Sequence, residues 1–343
     1  MKIGMLTGGG DSPAINAAIR SAVRESFLLE NEVIGFHNGW NGVLENDYEL
    51  LTLDKLKGIL IKGGTILGTS RTNPFKTGRE EEVPVNLKKV GIDALVAIGG
   101  DDTLGVLRSL HRLKDPVKGV GIPQTIDNDI PGTDYAIGFD SAVSICTDAI
   151  DKLHTTAESH HRVMILEVMG RDAGHLCLEA GIAGGAHIIL VPEEPIDIEE
   201  VCSKVTKRFK KGKTYTIVVV AEGATLKGGE QVTRVKTKDS FGHVMLGGIS
   251  DHIAGQLEQC AETETRVTVL GHLQRGGIPS SYDRLLATRF GVHAARCINE
   301  GKNDVMVCLK GRKITEVSLK EGLEGVKPID MELFRLYTQL QFV

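Results

Sequence analysis

Closely spaced aspartates stand in two short segments of this 343-residue chain. Asp101 and Asp102 follow two glycines in the sequence GGDDT. Asp127 and Asp129 flank an asparagine in the sequence PQTIDND. Glycines let a backbone turn outward and admit a polyphosphate, and a neighbouring carboxylate can hold Mg²⁺. In the second segment one carboxylate can serve as a base while the other orients metal or water. Each segment taken alone is equally compatible with an ordinary acidic turn.

A third segment, GGGDSPAIN (8–16), predicts a turn from a strand into a helix. Three glycines before a helix let backbone N–H groups point at an anion, and the helix dipole assists them. A tight structural turn is an equally good interpretation of this loop alone. The standard phosphate fingerprints are absent: GKT (212–214) has Lys207 where a Walker loop needs glycine, and GVG (119–121) is followed by Gln124 where a dinucleotide loop needs glycine.

Strand-like and helix-like segments alternate along the whole chain and must position these loops. The Val- and Ile-rich runs are 2–6, 32–36, 94–98, 117–123, 163–168, 187–192, 216–223, 266–272 and 305–309. Helical periodicity is clearest over 14–29, 140–160, 197–211 and 247–260. Continuous apolar runs are typical of buried parallel strands, which need crossover helices. We therefore predict an α/β fold of two αβα, Rossmann-like lobes with mostly parallel sheets, whose ligand loops follow the strands.

The composition excludes several classes of protein. The net charge of −5 disfavours a broad basic surface for nucleic acid. No apolar run reaches the ~18 residues that a membrane span needs. The cysteines form no Cys-x-x-Cys pair and are predicted to be reduced thiols of a cytoplasmic protein, with no disulfide framework. They are Cys146, Cys177, Cys202, Cys260, Cys297 and Cys308.

The segments together resemble the phosphofructokinase family, and the resemblance extends over essentially the whole chain. The GGDDT-type loop alone is weak, because NAD kinases and lipid kinases share it. The combination with TIDND, MGR and GHLQRGG in this order is specific. The matching stretches are 8–20, 63–74, GGDDT (99–103), TIDND (125–129), 132–142, 154–163, EVMGRDAGH (167–175), AEG (221–223) and TVLGHLQRGGIPSSYDR (268–284).

The resemblance implies transfer of a terminal phosphoryl group to the 1-hydroxyl of fructose 6-phosphate, with Mg²⁺ as cofactor. It implies a donor-binding lobe of 1–139 plus about 273–303 and a sugar-phosphate lobe of 140–272 plus about 304–343. The active site is expected in the cleft between the lobes. The residues expected to act in catalysis are Asp127 as general base, Thr125 beside it, and Arg171 and Arg71 on the moving phosphoryl group.

The resemblance also assigns the binding residues. Asp101 is expected to hold the metal. Those expected to bind or select the donor are Gly9, Gly10, Asp102, Thr103 and Gln124. Those expected to bind the sugar phosphate are Asp129, Arg162, Met169, Gly170, Glu222, Arg266, His272 and Arg275. Arginines suit a dianionic phosphate because the guanidinium is a planar, permanently charged donor.

The choice of phosphoryl donor depends on Asp102. Pyrophosphate-using relatives carry aspartate here, whereas ATP-using relatives carry glycine. Gln124 complicates the prediction, because pyrophosphate-using relatives have lysine at that position. A compensating cation is one solution, and Lys62 and Lys76 are candidates. Ala14 also departs from the family loop and would cost about 1 kcal/mol if its φ were positive. We predict pyrophosphate as donor, with ATP or mixed donor use as the alternative.

Two further expectations concern assembly and regulation. In the family, Arg162 and Arg266 reach the neighbouring subunit's site, which predicts a homodimer or homotetramer with shared active sites. Lys211 and Lys213 match part of a nucleotide effector site, but His154 stands where an arginine is expected, so we predict little nucleotide allostery. An alternative of another class is a catalytically silent sugar-phosphate-binding subunit.

We assign Trp40 to a glycine-flanked turn that covers an apolar edge.

Overall fold

The computed structural model describes residues 1–229, 233–238, 244–246 and 248–341. The chain forms two compact units. Unit 1 comprises Met1–Ser141 and Arg275–Val326, and unit 2 comprises Ala142–Gln274 and Lys327–Val343. No helix in the described ranges is long and apolar enough to cross a membrane.

Strands and helices alternate through most of the chain. The strands are β1 Lys2–Thr7, β2 Glu32–Phe36, β3 Tyr48–Leu50, β4 Ala94–Gly99, β5 Gly119–Pro123, β6 Val163–Val168, β7 Ile188–Leu190, β8 Thr216–Ala221, β9 Thr233–Lys238, β10 Val244–Leu246, β11 Thr265–Val269, β12 Val305–Lys310 and β13 Lys313–Ser318. The α-helices are α1 Ile15–Leu28, α2 Trp40–Glu45, α3 Pro74–Thr77, α4 Glu82–Val90, α5 Asp101–Leu110, α6 Phe139–His160, α7 His175–Ala183, α8 Ile198–Lys210, α9 Ile249–Ala261, α10 Ser281–Asn299, α11 Leu319–Gly322 and α12 Met331–Leu340. Short 3₁₀ turns occupy Asp54–Leu56, Ile59–Ile61 and Gly271–Arg275.

Unit 1 is built on a seven-stranded sheet in the order β13-β12-β5-β4-β1-β2-β3. The inner five strands are parallel, and β13 and β3 pair antiparallel at the two edges. Strands β1, β4 and β5 are buried almost throughout, as expected of parallel strands covered on both faces. Helices α1 and α10 pack on one face, and α2, α4 and α5 pack on the other. Because β5, β4 and β1 are neighbours, the loops after them emerge side by side.

Unit 2 contains a parallel four-stranded sheet in the order β11-β6-β8-β7. Helices α8 and α9 cover one face through apolar contacts with β6 and β8. Strands β9 and β10 form a separate antiparallel ribbon. The loops after β6, β8 and β11 carry the MGR, AEG and GHLQR sequences, and the pairing of β6 with both neighbours brings these loops to one edge.

The α/β prediction is confirmed, and each of the nine apolar runs contains a strand. Strands β3, β9, β10 and β13 were not predicted, because each is either only three residues long or largely polar and lies at a sheet edge or in the ribbon. Residues 304–326 were expected in the sugar-phosphate lobe, but the structure places them in unit 1. The cause is the parallel pairing of β12 with β5, which joins β12 and β13 to the first sheet.

The prediction that all cysteines are reduced is wrong for two of them. Cys202 and Cys260 form a disulfide that joins α8 to α9. They are 58 residues apart, so only the packing of the two helices brings them together and no local spacing reveals the pair. The other four cysteines are free and buried.

Candidate active site

The glycine loop after β1 is held by backbone hydrogen bonds from two directions. Gly8 N–H donates to the Ile98 carbonyl at 3.0 Å, and Gly9 N–H donates to the Ser70 carbonyl at 3.1 Å. The Thr69 hydroxyl donates to the Gly9 carbonyl at 2.7 Å. Gly9 adopts φ +84°, which a glycine accepts without strain. The segment that ends at Arg71 therefore lies along the glycine loop and brings this exposed arginine to it.

Two glycines allow the loops after β1 and β4 to approach each other closely. A Cβ atom on Gly8 would lie 2.7 Å from the Thr103 Oγ1, and one on Gly99 would lie 2.6 Å from the Thr103 Cβ. Thr103 is 4% exposed, so this expected donor-binding residue fills the contact between the loops. The Trp40 indole N–H donates to the Thr103 carbonyl at 3.3 Å. Trp40 begins α2 directly after the turn and does not lie within it, whereas the expected apolar packing is confirmed, since Trp40 is 2% exposed in an apolar cluster.

Asp101 and Asp102 form the first turn of α5, directly after Gly100. The partial positive charge of a helix N-terminus stabilises carboxylates at these positions. Asp101 is exposed and Asp102 is half-buried. Asp101 can therefore meet a solvated cation, and Asp102 lies in the same helical turn as Thr103, which packs against Gly8 of the glycine loop.

The TIDND loop after β5 is fixed by Asn128. This residue is 3% exposed and has φ +52°, a conformation that asparagine tolerates better than most residues. Its Oδ1 accepts from the Ala136 N–H at 3.0 Å, and its Nδ2 donates to the Asp134 carbonyl at 3.2 Å. The Asp127 N–H donates to the Thr125 hydroxyl at 3.1 Å. The anchored asparagine thus sets the orientation of the backbone that carries the two flanking aspartates.

Three carboxylates from two loops interact electrostatically. Burial, together with the negative charges of Asp127 and Asp101, raises the pKa of Asp129 to about 7. The Thr125 hydroxyl opposes this shift by hydrogen bonding to Asp129. Carboxylate oxygens are the ligands that Mg²⁺ prefers, and a divalent cation would relieve the mutual repulsion of this group. The donor set therefore fits Mg²⁺.

Gln124 follows β5 and is 1% exposed. Its backbone N–H donates to the Gly99 carbonyl at 2.9 Å, which joins the β4 and β5 loops. Within the described part of the chain, neither its Oε1 nor its Nε2 has a hydrogen-bond partner. A buried amide left without partners costs about 1–3 kcal/mol, so this side chain is available to a ligand or a water molecule.

The structure also places Ala14 and Arg275, two residues near the glycine loop. Ala14 has φ −97° and is fully buried, so the strain considered for this residue does not arise. The Arg275 Nη1 donates to the Asp11 carbonyl at 3.2 Å. A Cβ atom on Gly10 would lie 2.3 Å from the same nitrogen, so the Arg275 guanidinium would have to shift if this residue carried a side chain. Arg275, expected to bind the sugar phosphate, thus contacts the glycine loop within unit 1, whereas Lys62 and Lys76 are exposed.

In unit 2 the loops after β6 and β8 are joined by backbone contacts. The Gly223 N–H donates to the Gly170 carbonyl at 3.0 Å, and the Glu222 N–H donates to the Val168 carbonyl at 2.9 Å. Gly170 has φ +136°, which favours glycine strongly. A Cβ atom on Gly223 would lie 1.9 Å from the Arg171 carbonyl oxygen. The structure thus brings together the expected sugar-binding positions Gly170 and Glu222 and the expected catalytic Arg171.

Gln274 attaches the GHLQR turn to the same loop. This fully buried side chain accepts from the Met169 N–H through Oε1 at 3.0 Å and donates through Nε2 to the Gly271 carbonyl at 2.9 Å. Gln274 lies in the GHLQRGG motif, but no role was predicted for it. Its position between a histidine and an arginine of the motif was the available signal.

The expected sugar-phosphate arginines of unit 2 meet at a carboxylate. Arg162 Nε and Arg266 Nη2 each form an ion pair with Glu264. The side chains of Arg162 and Arg266 are 28% and 55% exposed. His272 lies on the adjoining 3₁₀ turn and is exposed. The three residues therefore present positive charge and a hydrogen-bond donor to the surroundings.

Comparison with known proteins identifies the family of this chain. The family model described as phosphofructokinase matches residues 2–298. The chain belongs to the phosphofructokinase family. A pyrophosphate–fructose 6-phosphate 1-phosphotransferase of Amycolatopsis methanolica is 50% identical over 336 residues, covering 97% of this chain and 98% of that protein. An ATP-dependent 6-phosphofructokinase of Corynebacterium efficiens is 48% identical over 336 residues, covering 97% of this chain and 96% of that protein.

Solved structures agree with this assignment. The phosphofructokinase structure from Saccharomyces cerevisiae matches with a TM-score of 0.80 and 31% identity. The match covers 94% of this chain and 45% of that chain. The hydrogen bond from Trp40 to the Thr103 carbonyl joins residues 63 positions apart, so no local sequence pattern predicts it.

Proposed function

We propose that this chain transfers a phosphoryl group from pyrophosphate to the 1-hydroxyl of fructose 6-phosphate, giving fructose 1,6-bisphosphate in glycolysis. The reaction is reversible, because donor and product carry phosphoryl bonds of comparable energy. The observation that carries the choice of donor is Asp102, half-buried in the first turn of α5 beside the glycine loop. The similarity to the Amycolatopsis methanolica pyrophosphate enzyme supports the same choice.

Asp127 acts as the general base. It takes the proton of the 1-hydroxyl as the oxygen attacks one phosphorus of pyrophosphate, the bridging P–O bond breaks and inorganic phosphate leaves. Asn128 fixes the loop that carries the base. Asp129 and Thr125 flank the base, and the Thr125 hydroxyl hydrogen-bonds to the Asp129 carboxylate and so orients it. Such positioned proton transfer contributes about 10²–10⁴-fold to a rate.

Positive charge must meet the moving phosphoryl group, whose oxygens carry the charge of the transition state. We assign this role to Arg71 and Arg171. Arg71 ends the segment that is hydrogen-bonded to the glycine loop, and Arg171 lies in the loop after β6, which is hydrogen-bonded to the AEG loop. Asp101 would hold Mg²⁺, with Asp127 and Asp129 close by. When bound, Mg²⁺ neutralises charge on the donor phosphates.

The donor preference follows from the charge of Asp102. A carboxylate about 4 Å from the α-phosphate of ATP would repel it by about 4 kcal/mol at an effective dielectric of about 20. Even strong screening leaves about 1.4–2.8 kcal/mol, a ten- to hundredfold discrimination. Pyrophosphate has no α-phosphate and avoids this repulsion. Arg275, bound to the Asp11 carbonyl, supplies positive charge at the glycine loop that neutral Gln124 does not supply.

A second candidate is ATP-dependent or mixed-donor phosphofructokinase activity. Gln124 favours it, because this neutral buried side chain replaces the lysine expected with pyrophosphate. The Corynebacterium efficiens relative, whose name specifies ATP, is nearly as similar to this chain as the pyrophosphate enzyme.

We further propose that the chain works as a homodimer or homotetramer. Arg162 and Arg266 are paired by Glu264 and remain partly exposed, so they can reach the 6-phosphate of sugar bound by a neighbouring copy. His272 joins them as a donor. Met169, Gly170 and Glu222 hold the sugar itself.

Replacing Asp127 with serine tests the proposed enzyme against a silent binding subunit. We expect turnover with Mg²⁺ and pyrophosphate to fall by about 10²–10⁴-fold, while calorimetry still detects fructose 6-phosphate binding. The Asp151→Ser variant, which removes an exposed carboxylate of α6, serves as the matched control and should keep wild-type turnover. Equal turnover in the wild type and Asp127→Ser would contradict the assignment of the base, and a wild type inactive with every donor would favour the silent subunit.

A further inference from the structure

Three side chains with metal-binding atoms meet in unit 1 on elements that carry none of the proposed reaction. His293 and Cys297 lie four residues apart on α10, so they share one helix face. Glu316 lies on β13 and faces them. The ligand atoms of the three residues all lie within 4.8 Å of one another. Among the described residues, these three form the one group of three or more His, Cys, Asp or Glu side chains whose ligand atoms lie this close together.

We propose that His293, Cys297 and Glu316 form a binding site for a divalent transition-metal ion of the Zn²⁺ class. The three residues offer one imidazole nitrogen, one sulfur and one carboxylate oxygen. Zn²⁺ binds nitrogen, sulfur and oxygen at about 2.0–2.3 Å in tetrahedral sites, whereas Mg²⁺ and Ca²⁺ prefer oxygen alone. The mixed donor set therefore distinguishes this site from the carboxylates of the candidate active site.

The hydrogen bonds of the cluster already orient its ligands. His293 Nε2 donates to the Glu316 Oε2 at 2.8 Å, so these two candidate ligand atoms lie next to each other. Lys302 Nζ donates to the other carboxylate oxygen, Oε1, at 2.6 Å. Lys302 thus fixes the carboxylate from outside while Oε2 stays directed at the histidine and cysteine, which is the usual arrangement of a partner behind a metal ligand.

One side of the site is buried in the protein, and the other side is open to solvent. Cys297 is 1% exposed and belongs to the apolar core beneath α10. The side chains of His293 and Glu316 are 27% and 25% exposed, so an ion can enter from solvent. Three protein ligands leave a fourth tetrahedral position, which water can occupy on the open side.

Binding is balanced by the release of one proton. The aqueous ion loses water ligands, the Cys297 thiol gives its proton to solvent, and the sulfur binds as thiolate. His293 stays neutral, because the proton on Nε2 leaves as the metal takes that nitrogen and Nδ1 takes up a proton. Glu316 binds as the carboxylate that it already is. The complex then links α10 to β13.

Cobalt(II) titration of the full-length protein tests the site, because thiolate-bound Co²⁺ has a charge-transfer absorption that other Co²⁺ complexes lack. We expect this band to saturate at one Co²⁺ per chain and to disappear when Zn²⁺ is added. Cys297→Ser should abolish the band. Cys308→Ser, which alters another free buried cysteine of unit 1, is the matched control and should keep it.

His293→Gln provides the second variant, since the glutamine amide can still donate to Glu316 but cannot replace the imidazole as a metal ligand. We expect at least about tenfold weaker Co²⁺ binding, with circular dichroism confirming the fold. Absence of the band in the wild type, or its persistence in Cys297→Ser, would overturn the proposal. Unchanged affinity in His293→Gln would equally overturn it.

Discussion

Gly223 stands where the two loops of unit 2 that carry Arg171 and Glu222 touch. A Cβ atom on Gly223 would lie 1.9 Å from the Arg171 carbonyl oxygen, 2.7 Å from the Arg171 carbonyl carbon and 2.8 Å from the Gly170 carbonyl oxygen. Ordinary contact with a Cβ atom begins at 3.4 Å. Gly223→Ala must therefore move the loops apart by about 1.5 Å at the closest pair of atoms.

This displacement has two energetic consequences. The hydrogen bond from the Gly223 N–H to the Gly170 carbonyl, now 3.0 Å, would break at a cost of about 0.5–1.5 kcal/mol. The forced backbone shift adds about 1–3 kcal/mol, as overpacking does elsewhere. We expect Gly223→Ala to lower the free energy of unfolding by about 1.5–4.5 kcal/mol in total. Because Arg171 moves with its carbonyl, turnover should fall about 100-fold, as misplacement by about 1 Å can cause.

Urea unfolding and steady-state kinetics of the variant measure both effects. Gly255→Ala is the matched control in the same unit. Gly255 is exposed within α9, and a Cβ atom on it would meet nothing within 4 Å. Alanine favours a helix interior over glycine by about 0.5–1 kcal/mol, so this control should be slightly more stable and fully active. A Gly223→Ala variant with wild-type stability and turnover would refute the close packing described for the two loops.

Two further predictions concern stability. Burial lowers the pKa of His187 to about 3, and its Nδ1 accepts from the Ile217 N–H at 2.9 Å. Because the unfolded pKa is about 6.5, stability is complete above pH 6.5 and falls as the pH drops toward 3. After allowance for partial exposure, we expect a loss of about 1 kcal/mol at pH 5. Urea unfolding from pH 4.5 to 7.5 should show this slope, and it should flatten in His187→Asn, which keeps an acceptor near Nδ1; an equal slope in both proteins would contradict the assignment. Trp40→Phe removes the hydrogen bond to the Thr103 carbonyl and should cost about 1–3 kcal/mol in thermal unfolding, and a variant as stable as wild type would show that this bond contributes nothing.

Much of the fold could be predicted because its central strands carry their own signal. Strands β1, β4, β5, β6 and β8 are buried on both faces, so each reads as a continuous apolar run. The edge strand β13 has the sequence KITEVS and is half-exposed, so no such run marks it. Its place in unit 1 follows from pairing with β12, which is a long-range property.

Part of the candidate site could likewise be predicted from the sequence, and part could not. The loops that carry Asp101, Asp127 and Arg171 could be placed because they follow recognisable strands. Contacts between residues far apart in the sequence could not be predicted, such as the hydrogen bond from the Met169 backbone N–H to the Gln274 side chain. The same limit applies to the Cys202–Cys260 disulfide, which depends on how two helices pack.

In the proposed function, Asp102 selects pyrophosphate as the phosphoryl donor. Steady-state phosphorylation of fructose 6-phosphate with Mg²⁺ should be measured with pyrophosphate and ATP at matched concentrations, for the wild type and for Asp102→Gly. Gly105→Ala is the control in the same helix, since a Cβ atom there would meet nothing within 4 Å. We predict that the wild type and the control turn over with pyrophosphate and that Asp102→Gly gains ten- to hundredfold in kcat/KM with ATP. Preference of the wild type for ATP, or an unchanged donor ratio in Asp102→Gly, would contradict the account.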